Sequence, residues 1–256
     1  MSSTLNAGLG SRTSGGCSFP AGDDSCSVAV AEGYERWAPI YDHFPNPLLA
    51  REERYLLPLL TDLGGKMVFD LACGTGRWLE RLVALGSATG VGIDRSAAML
   101  RVARNKSAIG QRLVEGDCDR LPFSRAAFDV AMCSFALGHI DALGAMVREL
   151  ARVTRDGADV YVSDLHPEAY ARGWRTGFRN GGVAIQIEMR SRSVEEIVRE
   201  FFANGFECRR QVSLWLGKPE EPLFARAGKS HSFAEACAVP AVFVCHFRRR
   251  RAELQP

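Results

Sequence analysis

The chain has 256 residues, of which 46 % are hydrophobic and 24 % charged, with a formal net charge of +2. That length can bury a sizeable core without covalent staples, and the near-neutral balance gives no broad attraction to nucleic acid or to an anionic membrane. No run of about 18 apolar residues occurs, so no membrane span is expected, and the start lacks the basic and apolar segments of a secretory signal.

Residues 1–27 are rich in Ser, Gly and Thr and show no periodic apolar face, so a disordered tail is expected there. A helical lid is expected over residues 28–62. Within it Tyr34, Trp37, Ile40 and Tyr41 recur at helical spacing, with breaks near Pro39 and Pro45, and Pro47 opens a second helix that runs to Leu60. One domain then spans residues 63–256. Apolar runs predict strands at 67–71, 88–94, 111–115, 129–134 and 159–164, and helices at 77–85, 97–106 and 143–153 separate most of them. This βαβ alternation predicts an α/β fold, doubly wound, with a parallel sheet covered by helices on both faces. Residues 166–193 break the pattern with Gly173, Trp174, Gly177, Phe178, Gly181 and Gly182, and are expected to form an irregular substrate-binding insert with a short alternating run at 183–189. A helix at 194–203 stops at Asn204-Gly205, two β-rich runs follow at 210–216 and 242–247, and the arginines at 248–251 read as a solvated charge run.

The eight cysteines form no C-x-x-C pair and no histidine cluster has metal-ligand spacing, so no metal site is expected and a reducing cytoplasm suits the chain.

The chemistry concentrates where the first predicted strand ends. Val68-Phe69-Asp70-Leu71-Ala72-Cys73-Gly74-Thr75-Gly76 carries an apolar strand into a glycine turn and then a helix. Glycines let a ligand approach the backbone, because no Cβ intervenes. Eighteen residues past Gly76 the next apolar run ends in Asp94, a carboxylate placed to accept hydrogen bonds from a ribose diol. A dinucleotide fold uses G-x-G-x-x-G, but Leu79 stands where its third glycine would be. The arginine after Asp94, Arg95, would suit the 2′-phosphate of a nicotinamide cofactor, which leaves an NAD(P)-dependent oxidoreductase as an alternative; it also reads as a solvated helix-start residue flanking an adenine.

The D-x-x-x-G-x-G pattern at Asp70, Gly74 and Gly76 resembles the first motif of the class I S-adenosylmethionine-dependent methyltransferases, with Ala72 at that family's first glycine position. Three further segments resemble the family in the same order: residues 92–100, the Gly116-Asp117-Cys118-Asp119-Arg120-Leu121-Pro122-Phe123 segment, and residues 128–134. In layout the chain is most similar to the small-molecule branch that includes the ubiquinone and menaquinone biosynthesis methyltransferases. The resemblance implies a Rossmann-like, mostly parallel seven-stranded sheet with one antiparallel strand. It implies S-adenosylmethionine as cofactor, with S-adenosylhomocysteine as product. It further implies roles for particular residues: Asp70 toward the ammonium group, Ala72, Gly74 and Gly76 around the amino-acid arm, Asp94 on the ribose, Asp117 and Cys118 on the adenine, Met99 packed against it, and Ser134 offering a carbonyl near the ammonium. Tyr41, in a Tyr41-Asp42 element like the family's N-terminal one, is expected to cover the cofactor.

His139 and His166 follow the fourth and fifth core strands, at the sheet edge where open α/β folds bind ligands. Either could remove a hydroxyl proton as that oxygen attacks a methyl group, and each also reads as a structural histidine bonded to a loop carbonyl. Tyr34, His43, Trp174 and Phe178 are candidates for walling an acceptor pocket, with amphipathic core packing as the competing reading. The expected partner is a small, partly apolar, aromatic or polycyclic acceptor with O-methylation favoured, no nucleic acid, and a monomeric or homodimeric state. A cofactor-binding regulatory subunit without catalysis is the second alternative.

Overall fold

The computed structural model describes residues 14–15 and 25–251. Its strands are β1 (Ser14–Gly15), β2 (Ser25–Val28), β3 (Met67–Leu71), β4 (Thr89–Asp94), β5 (Leu113–Glu115), β6 (Phe128–Ser134), β7 (Thr154–Leu165), β8 (Gly177–Asn180), β9 (Val183–Ile187), β10 (Phe206–Trp215) and β11 (Pro240–Arg249). Its helices are α1 (Val30–Trp37), α2 (Pro47–Leu56), α3 (Arg77–Ala84), α4 (Ala97–Arg104), α5 (Leu143–Val153), α6 (Pro167–Ala171), α7 (Val194–Ala203), α8 (Glu221–Arg226) and α9 (Phe233–Ala236).

Seven strands form one sheet in the order β10-β11-β7-β6-β3-β4-β5. β11 is antiparallel to both neighbours and the remaining pairs are parallel. Strand alternation divides the core into two layers. Phe69, Leu71, Ala131, Cys133, Val160 and Val162 face α5 and α7, where Met146, Leu150, Ile197 and Phe201 complete one cluster. Val68, Val130, Met132 and Tyr161 face the other way, onto Leu48 and Leu56 of α2 and Trp78 and Leu82 of α3. With both faces covered, the central strands read as continuous apolar runs rather than alternating ones. The chain winds outward from β3 to β5 and then crosses back to β6, so the crevice at the carboxyl ends of β3 and β6 is the topological switch point.

Local signals set the helix starts. Asn46 accepts the Leu48 N–H ahead of Pro47, Ser96 accepts the Met99 N–H, and Ser193 accepts the Glu196 N–H. Gly76 enters α3 with φ +79°, and a Cβ there would stand 2.3 Å from Cδ1 of Ile109.

Three expectations need correction. Residues 166–193 are not irregular: α6 is followed by the β8–β9 hairpin, whose two-residue turn places Gly181 and Gly182 at φ +57° and +88°. The described part of the expected tail is paired, β1 with β8 and β2 in parallel with β9, giving a second sheet β1-β8-β9-β2. Those partners lie more than a hundred residues away, beyond the reach of local composition; the rest of residues 1–27 lies outside the described residues. The arginine run is anchored rather than solvated at Arg248, which pairs with Asp159 at 2.6 Å, and at Arg249, which donates to the Gly205 carbonyl at 2.8 Å. Among the described residues no helix is long and apolar enough to cross a membrane, and no cluster of His, Cys, Asp and Glu could hold a metal ion.

Candidate cofactor and acceptor site

A cavity of about 490 Å³ opens at the switch point. One wing is built by the turns that leave the strands: Asp70, Ala72, Gly74 and Thr75 after β3, Asp94, Arg95 and Met99 after β4, Asp117 and Cys118 after β5, and Ser134 after β6. The other is built by Val30, Tyr34 and Leu49 of the N-terminal helices and by Phe135, His139 and Ile140 beyond β6. Tyr41 lies over Met99 in a small cluster with Ala38 and Ala98. Ala72 and Phe135 take left-handed backbone, at φ +55° and +51°, a strain that clusters at ligand-facing turns.

The carboxylate of Asp94 accepts the Gly74 N–H at 2.8 Å through one oxygen and the Ser96 N–H at 2.8 Å through the other. Each oxygen keeps lone pairs for a diol. Burial raises its pKa from the ordinary aspartate value. Asp70 is buried and accepts the Leu79 N–H at 2.9 Å. Burial pushes its pKa up to about 7, against the pull of that N–H and of Arg77. A proton held there is poised to leave when a cation arrives. Arg95 and Asp117 face each other loosely at 3.9 Å at the exposed end.

His139 ends a short 3₁₀ turn, Leu137–His139, clamped from two sides. Asp164 accepts the Gly138 N–H at 2.9 Å, and the Gly138 carbonyl accepts the Arg190 N–H at 2.8 Å. The His139 ring meets Tyr34 edge-on at 5.4 Å and its Nδ1 lies 2.9 Å from the Glu188 carbonyl. A carbonyl can only accept, so Nδ1 carries the proton and Nε2 of the neutral ring keeps its lone pair. Burial lowers the ring's pKa and favours that neutral form.

Other expected site residues fall elsewhere. Gly76 shapes the entry to α3 and does not line the cavity. His166 caps α6, with Nδ1 accepting the Glu168 N–H at 3.2 Å and Nε2 on the Ser213 hydroxyl at 3.0 Å, so both nitrogens are engaged outside the cavity. Trp174 is buried in the α2–α3 layer and Phe178 stacks on Trp37 at 5.3 Å; both are core. His43 is exposed and outside the cavity wall. Ser134 contributes its hydroxyl to a buried network, described next.

That network was not anticipated. Glu52 of α2 is fully buried. Its Oε2 accepts Arg77 at 2.5 Å and the Trp78 indole N–H at 3.1 Å. Its Oε1 accepts the hydroxyls of Ser134, at 2.6 Å, and Ser163. A signal existed: Leu48, Glu52 and Leu56 fall at successive i+4 positions, so Glu52 interrupts an apolar helix face. Asp42 adds a second tie from the lid, accepting the Thr75 hydroxyl at 2.7 Å and pairing with Lys106 at 3.0 Å.

A glycine turn, a diol-accepting carboxylate and a buried acid at the switch point define the Rossmann-like methyltransferase class. Residues 68–157 match the family described as "Methyltransferase domain", so the chain carries such a domain. It is 33 % identical over 137 residues to the malonyl-[acyl-carrier protein] O-methyltransferase of Pectobacterium atrosepticum, covering 54 % of this chain and 53 % of that protein. It is 30 % identical over 149 residues to the 2-phytyl-1,4-naphtoquinone methyltransferase of Synechococcus elongatus, covering 54 % of this chain and 64 % of that protein. The chain thus spans between about half and two thirds of the length of these relatives. In structure it is similar to an S-adenosylmethionine dependent methyltransferase from Mesorhizobium loti, with a TM-score of 0.61 and 20 % identity over 79 % of this chain and 100 % of that one.

Proposed function

We propose that this chain transfers a methyl group from S-adenosylmethionine to the hydroxyl of a small, partly apolar, phenol- or quinol-like acceptor. The observation that carries the reading is the His139 tautomer: its Nδ1 proton is taken by the Glu188 carbonyl, which leaves Nε2 basic on a cavity that also holds Asp94 and the glycine turn. The cofactor fits the cavity's donor set, with Asp94 for the ribose, Asp117 and Cys118 for the adenine, and Asp70 and Gly74 around the amino-acid arm. It would supply an activated methyl on sulfur. The chain's part is to align the acceptor, exclude water and take a proton at Nε2 of His139. Alignment is worth roughly 7–11 kcal/mol of barrier and a general base about 10²–10⁴-fold in rate.

The lining separates two acceptor types. Among the described residues the cavity's cations are Arg77 and Arg95, both on the cofactor wing. A carboxylate acceptor would meet Val30, Leu49, Phe135 and Ile140 with no cation to balance it, whereas a neutral hydroxyl suits that wall and the imidazole. Every residue of the cavity wall comes from one chain, so no partner subunit is needed to complete it. The test is calorimetric binding of S-adenosylhomocysteine, followed by transfer of labelled methyl to a panel of phenols, quinols and malonyl thioesters. Turnover confined to the malonyl thioesters, or binding of NADPH in place of S-adenosylhomocysteine, would overturn the proposal.

A further inference from the structure

The cavity floor holds a fixed cation that no motif assigned. Arg77 is the first residue of α3, directly after the glycine turn, and its guanidinium lines the cavity. It is gripped from behind: Nη2 donates to Glu52 at 2.5 Å and to Ser134 at 2.9 Å, while Nη1 reaches Glu53 at 3.5 Å. Glu53 is not Arg77's alone, because Arg81 holds the same oxygen at 2.7 Å. Two arginines thus face two glutamates, and the donors that Arg77 does not spend on them are directed past the network. The side chain keeps 17 % exposure while Glu52 keeps none, so the open part of the pair is the cation. Asp70 lies within electrostatic reach, since Arg77 pulls its pKa down.

We infer that Arg77 and Asp70 form a zwitterion receptor at the glycine-turn end of the cavity, with the guanidinium taking an α-carboxylate and the Asp70 carboxylate the adjacent ammonium group. This rests on the methyltransferase reading and deepens it: the receptor recognises the amino-acid end of the cofactor. A planar guanidinium with its orientation fixed by Glu52 and Ser134 matches a carboxylate better than a mobile ammonium could. The first turn of α3 adds a positive helix terminus on the same side. Arg95 cannot substitute, because it lies at the exposed end of the cavity beside Asp117.

The experiment compares two probes by calorimetry: S-adenosylhomocysteine, and 5′-deoxy-5′-methylthioadenosine, which has the same nucleoside and thioether but no amino-acid end. Wild type should prefer the first. Arg77→Gln should weaken S-adenosylhomocysteine by about tenfold or more and leave methylthioadenosine within about twofold, so the preference collapses. Arg77→Lys, which keeps a charge for Glu52 but no planar fork, should fall between. If the glutamine variant does not fold, as thermal unfolding will report, the lysine variant decides by the same ratio. Equal losses on both probes, or an unchanged preference, overturn the inference and leave Arg77 as scaffolding. Wild type that binds neither probe defeats the cofactor reading itself, a separate result.

Discussion

Replacing Glu52 by alanine should be among the most destabilising single changes at this site. The carboxylate is fully buried and accepts four donors, from Arg77, Trp78, Ser134 and Ser163. Removing one partner of a buried ion pair costs about 3–5 kcal/mol, because the other charge remains without compensation. Arg77 opens partly onto the cavity, with 17 % side-chain exposure, so some of its charge can be hydrated and the lower end applies, about 3 kcal/mol. The indole N–H and two hydroxyls lose an acceptor as well, and the cavity left in the α2 contact adds to the loss. In a chain of this length each kcal/mol lowers the melting temperature by about 2–4 °C, so Glu52→Ala should melt about 6–12 °C below wild type. Glu52→Gln should lose less, since the amide oxygen still accepts the two serines. The double variant Glu52→Ala/Arg77→Met should be more stable than the sum of the single losses, because no orphaned charge remains. Calorimetric or circular-dichroism melting at neutral pH reads all of these. A Glu52→Ala loss below about 1 kcal/mol, or strict additivity in the double variant, would refute the account of a buried carboxylate holding the site together.

Asp94→Ala should weaken S-adenosylhomocysteine by at least about tenfold, or about 1.4 kcal/mol, in titration calorimetry of a folded variant; unchanged affinity removes Asp94 from the site. The acid limb of kcat/KM should fall below pH 6.5, because burial lowers the pKa of His139 and the ring must be neutral to accept a proton; a midpoint above the ordinary histidine value, or a His139→Ala variant with wild-type turnover, argues against a basic Nε2. Asp70 holds its proton more tightly folded, near pKa 7, than unfolded, near 3.8, so its contribution to stability is present at low pH and declines as pH rises from about 4 to about 7. Asp70→Asn should flatten that part of the stability profile, and S-adenosylhomocysteine binding near pH 6.5 should release protons, read as a buffer-dependent binding enthalpy; a buffer-independent enthalpy contradicts a protonated Asp70 in the free chain.

The primary sequence by itself determined the sheet and the cofactor wing. Both are local: Asp70, Gly74 and Asp94 each sit where an apolar run meets a turn, and the turn chemistry is written in consecutive residues. Which histidine faces the cavity was not local. His139 and His166 both follow core strands, and only packing put the Glu188 carbonyl beside one and the Ser213 hydroxyl beside the other. The pairing of residues 25–28 with β9 and the union of Glu52, Arg77, Ser134 and Ser163 likewise join segments up to 111 residues apart. A buried charge is stable only where distant partners compensate it, so its role emerges once the tertiary structure supplies those partners.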